Sequence, residues 1–204
     1  MGDHYFTHNP NAESNPKTWT FTLRGREFRF KTDTGVFSKN EVDFGSRLLI
    51  EAFVPNEDVK GRLLDAGCGY GPIGLTVAPD VDDAVVHMID VNERALMLAK
   101  ENAALNKIGN VEIYQSDRLL GVKETGFASI LTNPPIRAGK KIVHDILEQS
   151  FEKLADKGEL WVVIQKKQGA PSAMDKMEEL FGNVETVDKK KGYYILRSKK
   201  GRQE

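Results

Sequence analysis

Four polar residues stand where four successive apolar segments of the chain end. Asp65, Asp90 and Asp117 close or follow the first three segments, and Asn133 follows the fourth. Open α/β sheets bind ligands beyond the carboxyl ends of their strands. If the segments are parallel strands, the four side chains meet at one edge and can hold several parts of a nucleoside. Any one of them alone is equally typical of a turn or a helix cap.

The first of these acids opens a glycine-rich loop that runs from Asp65 to Gly71 with glycine at every second position. Glycine lets the backbone turn through angles that other residues avoid, and it lets a ligand lie against bare main chain. Pro72 suits the first position of a following helix. A strand, a glycine loop and a helix start together indicate a nucleotide-type site. The expected cofactor contacts in this loop are Asp65, Gly67, Cys68, Gly69 and Gly71.

Two cofactors fit this loop, a dinucleotide and S-adenosylmethionine, and the frame Asp65-x-Gly67-x-Gly69-x-Gly71 resembles the cofactor loop of class I S-adenosylmethionine-dependent methyltransferases. Residues 69–74 satisfy G-x-G-x-x-G, the dinucleotide fingerprint, with Asp90 about 20 residues further on. Asp65 separates the two, because a carboxylate at the mouth of the loop is badly placed beside a pyrophosphate but can accept hydrogen bonds from an ammonium group. S-adenosylmethionine carries an ammonium and a sulfonium group and no phosphate. The residues therefore favour the methyl donor over a dinucleotide.

The next two strand ends offer groups for the nucleoside. Asp90 can accept hydrogen bonds from both ribose hydroxyls, a task that fits either cofactor. Asp117 can accept from an adenine amino group, and Ser116 can assist it. Ile89 and Val91 can supply apolar contacts to the adenine ring.

The fourth strand ends in Asn133-Pro134-Pro135, which we predict to be the catalytic motif. Two prolines fix the backbone and remove two amide donors, so the peptide carbonyls there stay free as acceptors. Asn133 adds a side-chain carbonyl. Two converging acceptors suit a planar exocyclic amine, because each can hold one N–H and the nitrogen lone pair is then aimed at a donor methyl group. Catalysis of this kind depends on positioning and electrostatics, without a covalent enzyme intermediate.

These motifs together resemble the class I S-adenosylmethionine-dependent methyltransferases that modify amino groups. Residues 35–38, with Asp43 and Gly45-Ser46, look like the "methyltransferase small" family, which includes ribosomal RNA guanine-N2 methyltransferases acting on the small subunit. The resemblance covers roughly residues 19–200. It implies S-adenosylmethionine as cofactor and a base amine as substrate. The position after the second proline, often aromatic in that family and stacked on the target base, is Ile136 here.

The substrate expected from this resemblance is RNA, most specifically guanine N2 of small-subunit ribosomal RNA. Its expected contacts are Phe37, Ser38, Ile136, Arg137 and Lys140; Lys141 adds a further cation, and such cations position a polynucleotide through its phosphates. Adenine N6 and a protein glutamine stay open as targets, because the motif selects a planar amine and not one base. An NAD-dependent reductase and a catalytically silent RNA-binding protein are the alternatives from other classes.

Alternating apolar strands and helices predict an α/β fold with a single Rossmann-like domain and helices on both faces of the sheet. We expect an N-terminal arm and β-hairpin over residues 1–34 and the cofactor-binding domain over residues 35–204. The link at residues 189–192 predicts a closing hairpin, so the last strand should run antiparallel to its neighbours. The resemblance implies a seven-stranded, mostly parallel sheet.

The pattern also predicts the individual elements. The first hairpin turns at residues 24–26, Asp43 caps a helix over residues 44–53, and Asn92 caps a second over residues 93–106. Strands are expected at residues 61–66, 84–90, 111–115, 127–132 and 159–165. Further helices are expected at residues 140–155 and 171–181, and the closing hairpin strands at residues 184–187 and 193–196.

The composition of the chain limits the compartment and the partners that can be expected for this protein. The chain has 204 residues, a formal net charge of −1 and one cysteine, Cys68, which excludes an internal disulfide and suits a reducing cytoplasm. The small net charge gives no global attraction to nucleic acid, so local patches must hold a polyanion. No apolar run reaches membrane-spanning length, and the four histidines form no metal pattern. We expect a cytoplasmic protein, monomeric, with no metal and no membrane partner.

Overall fold

The computed structural model describes residues 13–34 and 40–201, and within these ranges the chain forms nine strands and five α-helices. The strands are β1 (Lys17–Leu23), β2 (Arg26–Thr32), β3 (Leu63–Ala66), β4 (Val86–Asp90), β5 (Val111–Gln115), β6 (Phe127–Thr132), β7 (Leu154–Gln165), β8 (Glu185–Lys190) and β9 (Tyr193–Lys199). The helices are α1 (Phe44–Ala52), α2 (Pro72–Val77), α3 (Glu93–Leu105), α4 (Lys140–Lys153) and α5 (Ala170–Phe181).

Seven strands form one sheet in the order β5-β4-β3-β6-β7-β9-β8. The pairs from β5 to β7 are parallel, whereas β9 lies antiparallel between β7 and β8. The predicted mostly parallel sheet with an antiparallel last strand is therefore confirmed. The order reverses beside β3, so the carboxyl ends of β3, β4 and β6 meet at the point where such sheets bind ligands.

Helices cover both faces of the sheet, which is why its central strands are apolar throughout. Neighbouring residues of one strand enter opposite cores: Leu63 packs with α1, α2 and α3, and Leu64 packs with α4 and α5. Trp161 and Val162 divide in the same way on β7. Every residue of β3, β4 and β6 is buried. The site residues at the strand ends are therefore fixed by a core on each side.

The N-terminal hairpin docks on α3 through two asparagine side chains. Asn102 accepts a hydrogen bond from Lys31 N at 2.7 Å and donates to Lys31 O at 3.0 Å. Asn106 does the same with the backbone of Arg29, at 2.9 and 2.7 Å. These bonds satisfy backbone groups on the outer edge of β2 that would otherwise lie open to pairing.

The same hairpin reaches the glycine loop. The Tyr70 ring packs edge-on against Phe30 and Trp19, with ring centroids 5.7 and 6.1 Å apart. Asn102 also donates to Tyr70 O at 2.9 Å. Since Asn102 is fully buried and bonds both segments, it ties the hairpin, α3 and the loop into one unit.

Several element boundaries differ from the sequence-based expectation. The fifth strand of the pattern, β7, begins at Leu154, because the chain leaves α4 in an extended conformation at that residue. The closing turn consists of Lys191 and Gly192 alone, both with positive φ, and residues 189–190 belong to β8. A two-residue turn of this kind matches the twist of the flanking strands.

Candidate functional site

Two cavities open at the carboxyl edge of the sheet, on either side of the β6 end. The first has a volume of about 510 Å³ and lies over the ends of β4, β5 and β6. The second, of about 360 Å³, lies between the glycine loop, the start of α1 and the end of β7. The residues that line both are Gly67, Asn133, Pro135 and Arg137. A group bound in one cavity therefore meets a group bound in the other at Asn133.

The Asn133 side chain is held in one orientation by α1. Its amide nitrogen donates to Ser46 Oγ at 3.0 Å and to Asp43 Oδ2 at 3.3 Å. The orientation follows from chemistry, because a carboxylate oxygen can only accept and must face the NH₂ group. Asn133 Oδ1 accepts no hydrogen bond from any residue that the structure describes. The carbonyl end of the amide is thus the end available to a ligand.

Asp43 is fixed in turn by its place as the N-cap of α1. Its Oδ2 accepts from Ser46 N at 3.0 Å, which satisfies one of the amides that a helix start leaves open. The predicted cap is confirmed, and the same oxygen also receives the Asn133 amide. The sequence pattern around Asp43 predicts only the capping role. No local signal could have revealed the second, since 90 positions separate the two residues.

The two prolines differ in what they leave free. The Pro135 carbonyl accepts from Ala138 N at 3.1 Å, at the start of a short 3-10 turn over Ile136–Ala138. The Pro134 carbonyl receives no hydrogen bond from the described part of the chain. Of the carbonyls expected to be free, that of Pro134 fits the expectation, and that of Pro135 is used within the turn.

Asp65 lies beneath the glycine loop, so the expectation that it stands at the mouth is wrong. Its side chain is 1% exposed, and Oδ2 accepts from Gly74 N at 2.9 Å. No described residue donates to Oδ1. Burial raises the pKa of Asp65 to about 7, and the nearby Asp90 carboxylate adds to this, against the Gly74 hydrogen bond. The strand end is buried because α2 packs directly over it.

Asp90 lines the first cavity and supports the loop at the same time. Its Oδ2 accepts from Gly69 N at 2.8 Å, and its Oδ1 accepts from Asn92 N at 2.9 Å. Burial raises the pKa of Asp90, and these backbone bonds act in the opposite direction. Each oxygen keeps acceptor capacity, because a carboxylate oxygen can receive more than one donor.

The end of β5 contributes Ser116 and Asp117 to the first cavity, with Val91 from the neighbouring strand end. The Asp117 carboxylate is exposed and lies 3.2 Å from Arg118 Nε. The Ser116 hydroxyl donates to Arg118 O and accepts from Gly121 N, each at 2.8 Å. The Ser116 hydroxyl has already donated its one hydrogen, so it could contact an adenine only as an acceptor, through its remaining lone pair.

The loop glycines take two different positions. Gly67 has φ of 79° and lines both cavities, and a Cβ built on it would meet no atom within 4 Å. Cys68 and Gly69 line the second cavity, whereas Gly71 caps α2 and packs against Leu75. Burial raises the pKa of the Cys68 thiol, so it stays protonated and serves as a small apolar group.

The expected substrate contacts are only partly brought together. Ile136 lines the second cavity, while Lys140 is exposed at the start of α4 and lines neither cavity of this site. Lys141 is paired with Asp145 at 3.0 Å. Phe37 and Ser38 lie outside the described residues.

The structure also places residues at the site that the sequence did not single out. Ile142 and Ile146 of α4 give the first cavity an apolar wall. Gln165, Gln168 and Tyr193 line the second cavity. They come from the end of β7, the turn that follows it and the start of β9, so only the sheet order brings them to Asn133.

The first cavity fits a cationic nucleoside cofactor. It joins an apolar wall to the Asp90 carboxylate, and the buried Asp65 Oδ1 beneath the loop has no partner among the described residues. The Gly74 amide at the start of α2 is already taken by Asp65, so it is not offered to a pyrophosphate. This donor and acceptor set suits positive charge, which agrees with the methyl donor and not with a dinucleotide.

Comparison with known proteins agrees with this geometry. The family model for the methyltransferase small domain matches residues 27–197. The chain is 61% identical over 201 residues to "Uncharacterized protein YbxB" of Bacillus subtilis, covering 98% of this chain and 100% of the relative. It is 28% identical to ribosomal RNA large subunit methyltransferase G of Yersinia enterocolitica, covering 94% of this chain and 49% of the relative.

A solved structure shows the same fold. The T. thermophilus 16S rRNA N2 G1207 methyltransferase, in complex with AdoMet and guanosine, superposes with a TM-score of 0.81 at 26% identity, covering 94% of this chain and 52% of that one. The chain thus spans about half the length of the two relatives that carry an activity in their names.

The fold and the site define an S-adenosylmethionine-dependent methyltransferase. Within that class the chain belongs to the methyltransferase small domain family. Its cofactor is S-adenosylmethionine, as the glycine loop and strand-end acids predicted. Over residues 13–34 and 40–201 no group of three or more His, Cys, Asp or Glu side chains is placed to hold a metal ion. No helix in those ranges is long and apolar enough to cross a membrane.

Proposed function

We propose that this protein methylates an exocyclic amino group of RNA, and that the target is guanine N2 of small-subunit ribosomal RNA. The observation that carries the proposal is the orientation of Asn133, whose amide nitrogen donates to Asp43 and Ser46 and whose carbonyl, between the two cavities, accepts from none of the described residues. An acceptor fixed in this way is suited to an amine N–H.

The proposed division of labour follows the two cavities. The first holds the cofactor, which supplies an electrophilic methyl group when bound. Asp90 contacts the ribose, Asp117 and Val91 the adenine, and Asp65 supplies negative charge from beneath the loop. The second cavity is shared: its glycine-loop side, with Gly67, Cys68 and Gly69, would hold the amino-acid end of the cofactor, and the rest receives the target base, with Asn133 at the boundary between the two cavities.

Asn133 Oδ1 and the Pro134 carbonyl each hold one hydrogen of the amine. Both hydrogens are then turned away from the donor, and the nitrogen lone pair faces the first cavity. The acceptors are fixed before substrate arrives, Asn133 by α1 and Pro134 by the ring constraint on its backbone. Acceptors that need no reorganisation stabilise the developing positive charge on nitrogen most effectively.

Guanine N2 of the small subunit is favoured by the structural neighbour, which is named as a 16S rRNA N2 G1207 methyltransferase. A large-subunit target is the second candidate, because the Yersinia relative is named for that subunit. Adenine N6 and protein glutamine remain possible for the catalytic motif, since it selects a planar amine.

Tritiated methyl transfer tests the proposal. Total RNA and separated ribosomal subunits from cells that lack the protein are incubated with the pure protein and labelled cofactor, and the RNA is then digested to nucleosides. We expect label in N2-methylguanosine from the small subunit. Label in N6-methyladenosine would refute guanine N2 as the target, and label in large-subunit RNA would refute the small subunit. Label only in protein would refute an RNA substrate altogether.

A further inference from the structure

The second cavity holds an aromatic ring that the catalytic motif lacks. Ile136, after the second proline, offers an aliphatic surface to this cavity. Tyr193 lines the same cavity from β9, together with Asn133 and Pro134. Tyr70 of the glycine loop also lines this cavity, but it is 4% exposed and its ring packs against Phe30 and Trp19. The π surface that the cavity offers a base is therefore the Tyr193 ring, which comes from a part of the chain far from the motif.

The sheet fixes where Tyr193 stands. It is the first residue of β9 and pairs directly with Gln165, the last residue of β7, in antiparallel register. Side chains opposite each other on neighbouring strands share one face of the sheet. Both side chains line the second cavity, so the pairing and the cavity agree. Tyr194, the next residue, packs against the core of the opposite face.

The first turn of α1 seats the tyrosine ring. A Cβ built on Gly45 would lie 2.9 Å from Cε1 of Tyr193, so the ring occupies space that any larger residue would need. The Phe44 ring packs beside it at 5.5 Å between centroids. The adjoining residues Asp43 and Ser46 hold Asn133. One helical turn thus fixes both the aromatic ring and the amine acceptor.

We propose that Tyr193 is the residue on which the target base stacks, supplying the aromatic contact that Ile136 does not. This inference rests on the proposed function, because it requires a base in the second cavity. A stacked ring positions the base so that its amino group reaches Asn133, and it does so with every base, since each has a π face. Tyr193 contributes to capture and positioning, and the choice of base falls to other groups.

Loss of the Tyr193 ring should weaken RNA binding by the contribution of one base–aromatic stack. Removing one base–aromatic stack weakens binding about 5- to 150-fold. Because the stack forms when substrate binds and persists during transfer, its loss should raise KM for RNA and leave kcat near that of the parent. An acceptor such as Asn133 acts chiefly on kcat, so the two roles separate in the kinetics.

The experiment compares Tyr193→Leu with Tyr193→Phe and with the matched control Tyr194→Leu, whose side chain packs on the opposite face. Methyl transfer is measured with ribosomal RNA from cells lacking the protein, and calorimetry with S-adenosylhomocysteine checks that each variant keeps its cofactor site. We expect a KM increase of about 5- to 150-fold for Tyr193→Leu only. The double variant Tyr193→Leu/Ile136→Phe should recover part of the loss, because it restores a ring to the same cavity.

The outcomes separate the two proposals. If the parent protein methylates RNA and Tyr193→Leu has an unchanged KM, stacking on Tyr193 is refuted while the proposed function stands. If Tyr193→Phe loses as much as Tyr193→Leu, the hydroxyl and not the ring is responsible, and the stacking proposal is wrong. If the parent protein methylates no RNA fraction, the proposed function fails and this inference fails with it.

Discussion

Replacing Asp43 with serine tests whether α1 orients the Asn133 amide that we propose to be catalytic. Serine is as good an N-cap as aspartate, so the helix start should survive. Its shorter side chain withdraws the acceptor that receives Asn133 Nδ2 at 3.3 Å, and only the Ser46 hydroxyl at 3.0 Å remains. The amide then loses the partner that forbids the flipped orientation, in which NH₂ instead of the carbonyl faces the substrate.

The size of the effect follows from that geometry. A hydrogen bond to a charged group contributes about 1.5–3 kcal/mol, and a bond of 3.3 Å belongs at the lower end of that range. A loss of about 1.4 kcal/mol lowers the rate tenfold. Asn133→Ala removes the acceptor itself and should lower kcat about 100- to 1,000-fold, as the loss of one preorganised hydrogen-bonding group does elsewhere. Asp43→Ser should therefore lower kcat about tenfold, which is about a tenth to a hundredth of the fold-loss expected for Asn133→Ala.

Single-turnover methyl transfer at saturating cofactor and RNA measures this step directly. Asp43→Asn is the matched control, because its carbonyl can still cap α1 and accept from Asn133, and its loss should be smaller than that of Asp43→Ser. Thermal unfolding of both variants shows whether the cap survived. Equal rates for Asp43→Ser and the parent would refute the orienting role. Equal losses in the serine and asparagine variants would assign the effect to charge and not to the acceptor.

Three further expectations concern the cofactor site, the hairpin and RNA capture. Since Asp65 has a pKa raised to about 7, the empty site holds a proton at lower pH, and the affinity for S-adenosylhomocysteine, measured by calorimetry, should increase between pH 6 and 8. Asp65→Asn should flatten this increase, and the empty parent protein should lose stability as the pH rises towards 7 and through it, because the carboxyl of the unfolded chain is already ionised there. Asn102→Ala removes the three hydrogen bonds of a fully buried side chain and should lower the free energy of unfolding, measured in urea, by about 3 kcal/mol; a loss below about 1 kcal/mol would contradict its role in joining the hairpin to the loop. Charge reversal at Arg137 and Lys140 should weaken RNA binding and reduce its salt dependence, and an unchanged salt slope would exclude them as phosphate contacts. Cofactor affinity should stay unchanged for the Lys140 reversal, because Lys140 lines neither cavity of the site.

The class of reaction and the cofactor can be predicted from short stretches of the sequence. The glycine loop, the acids at the strand ends and the Asn-Pro-Pro motif each occupy a few consecutive positions, and the alternation of strands and helices orders them along one sheet edge. Local patterns of this kind depend on backbone preferences and hydrophobic periodicity, which neighbouring residues express directly. They were sufficient to predict the mostly parallel sheet, the α1 cap and the methyl donor.

Element ends were less predictable for the same reason. Residues 154–158 have no strong local preference for strand, and they extend β7 because Leu154 pairs with Phe127 across an irregular register. The closing turn contains only Lys191 and Gly192, because the pairing of β8 with β9 continues as far as Lys190 and Tyr193. Pairing with a distant strand decided both boundaries.

Only the tertiary structure decided how the site works. Asp65 is buried because α2 packs over the end of β3, and this burial raises the pKa of its carboxyl group. The sequence alone places the same carboxylate at the mouth of the loop. The double use of Asp43 and the arrival of Tyr193 beside Asn133 require α1 and β9 to meet across the sheet. Such contacts join segments far apart in sequence, and their geometry is set by which faces pack together. The sequence therefore determines the reaction class, and packing determines which side chains surround Asn133 and hold its amide in one orientation.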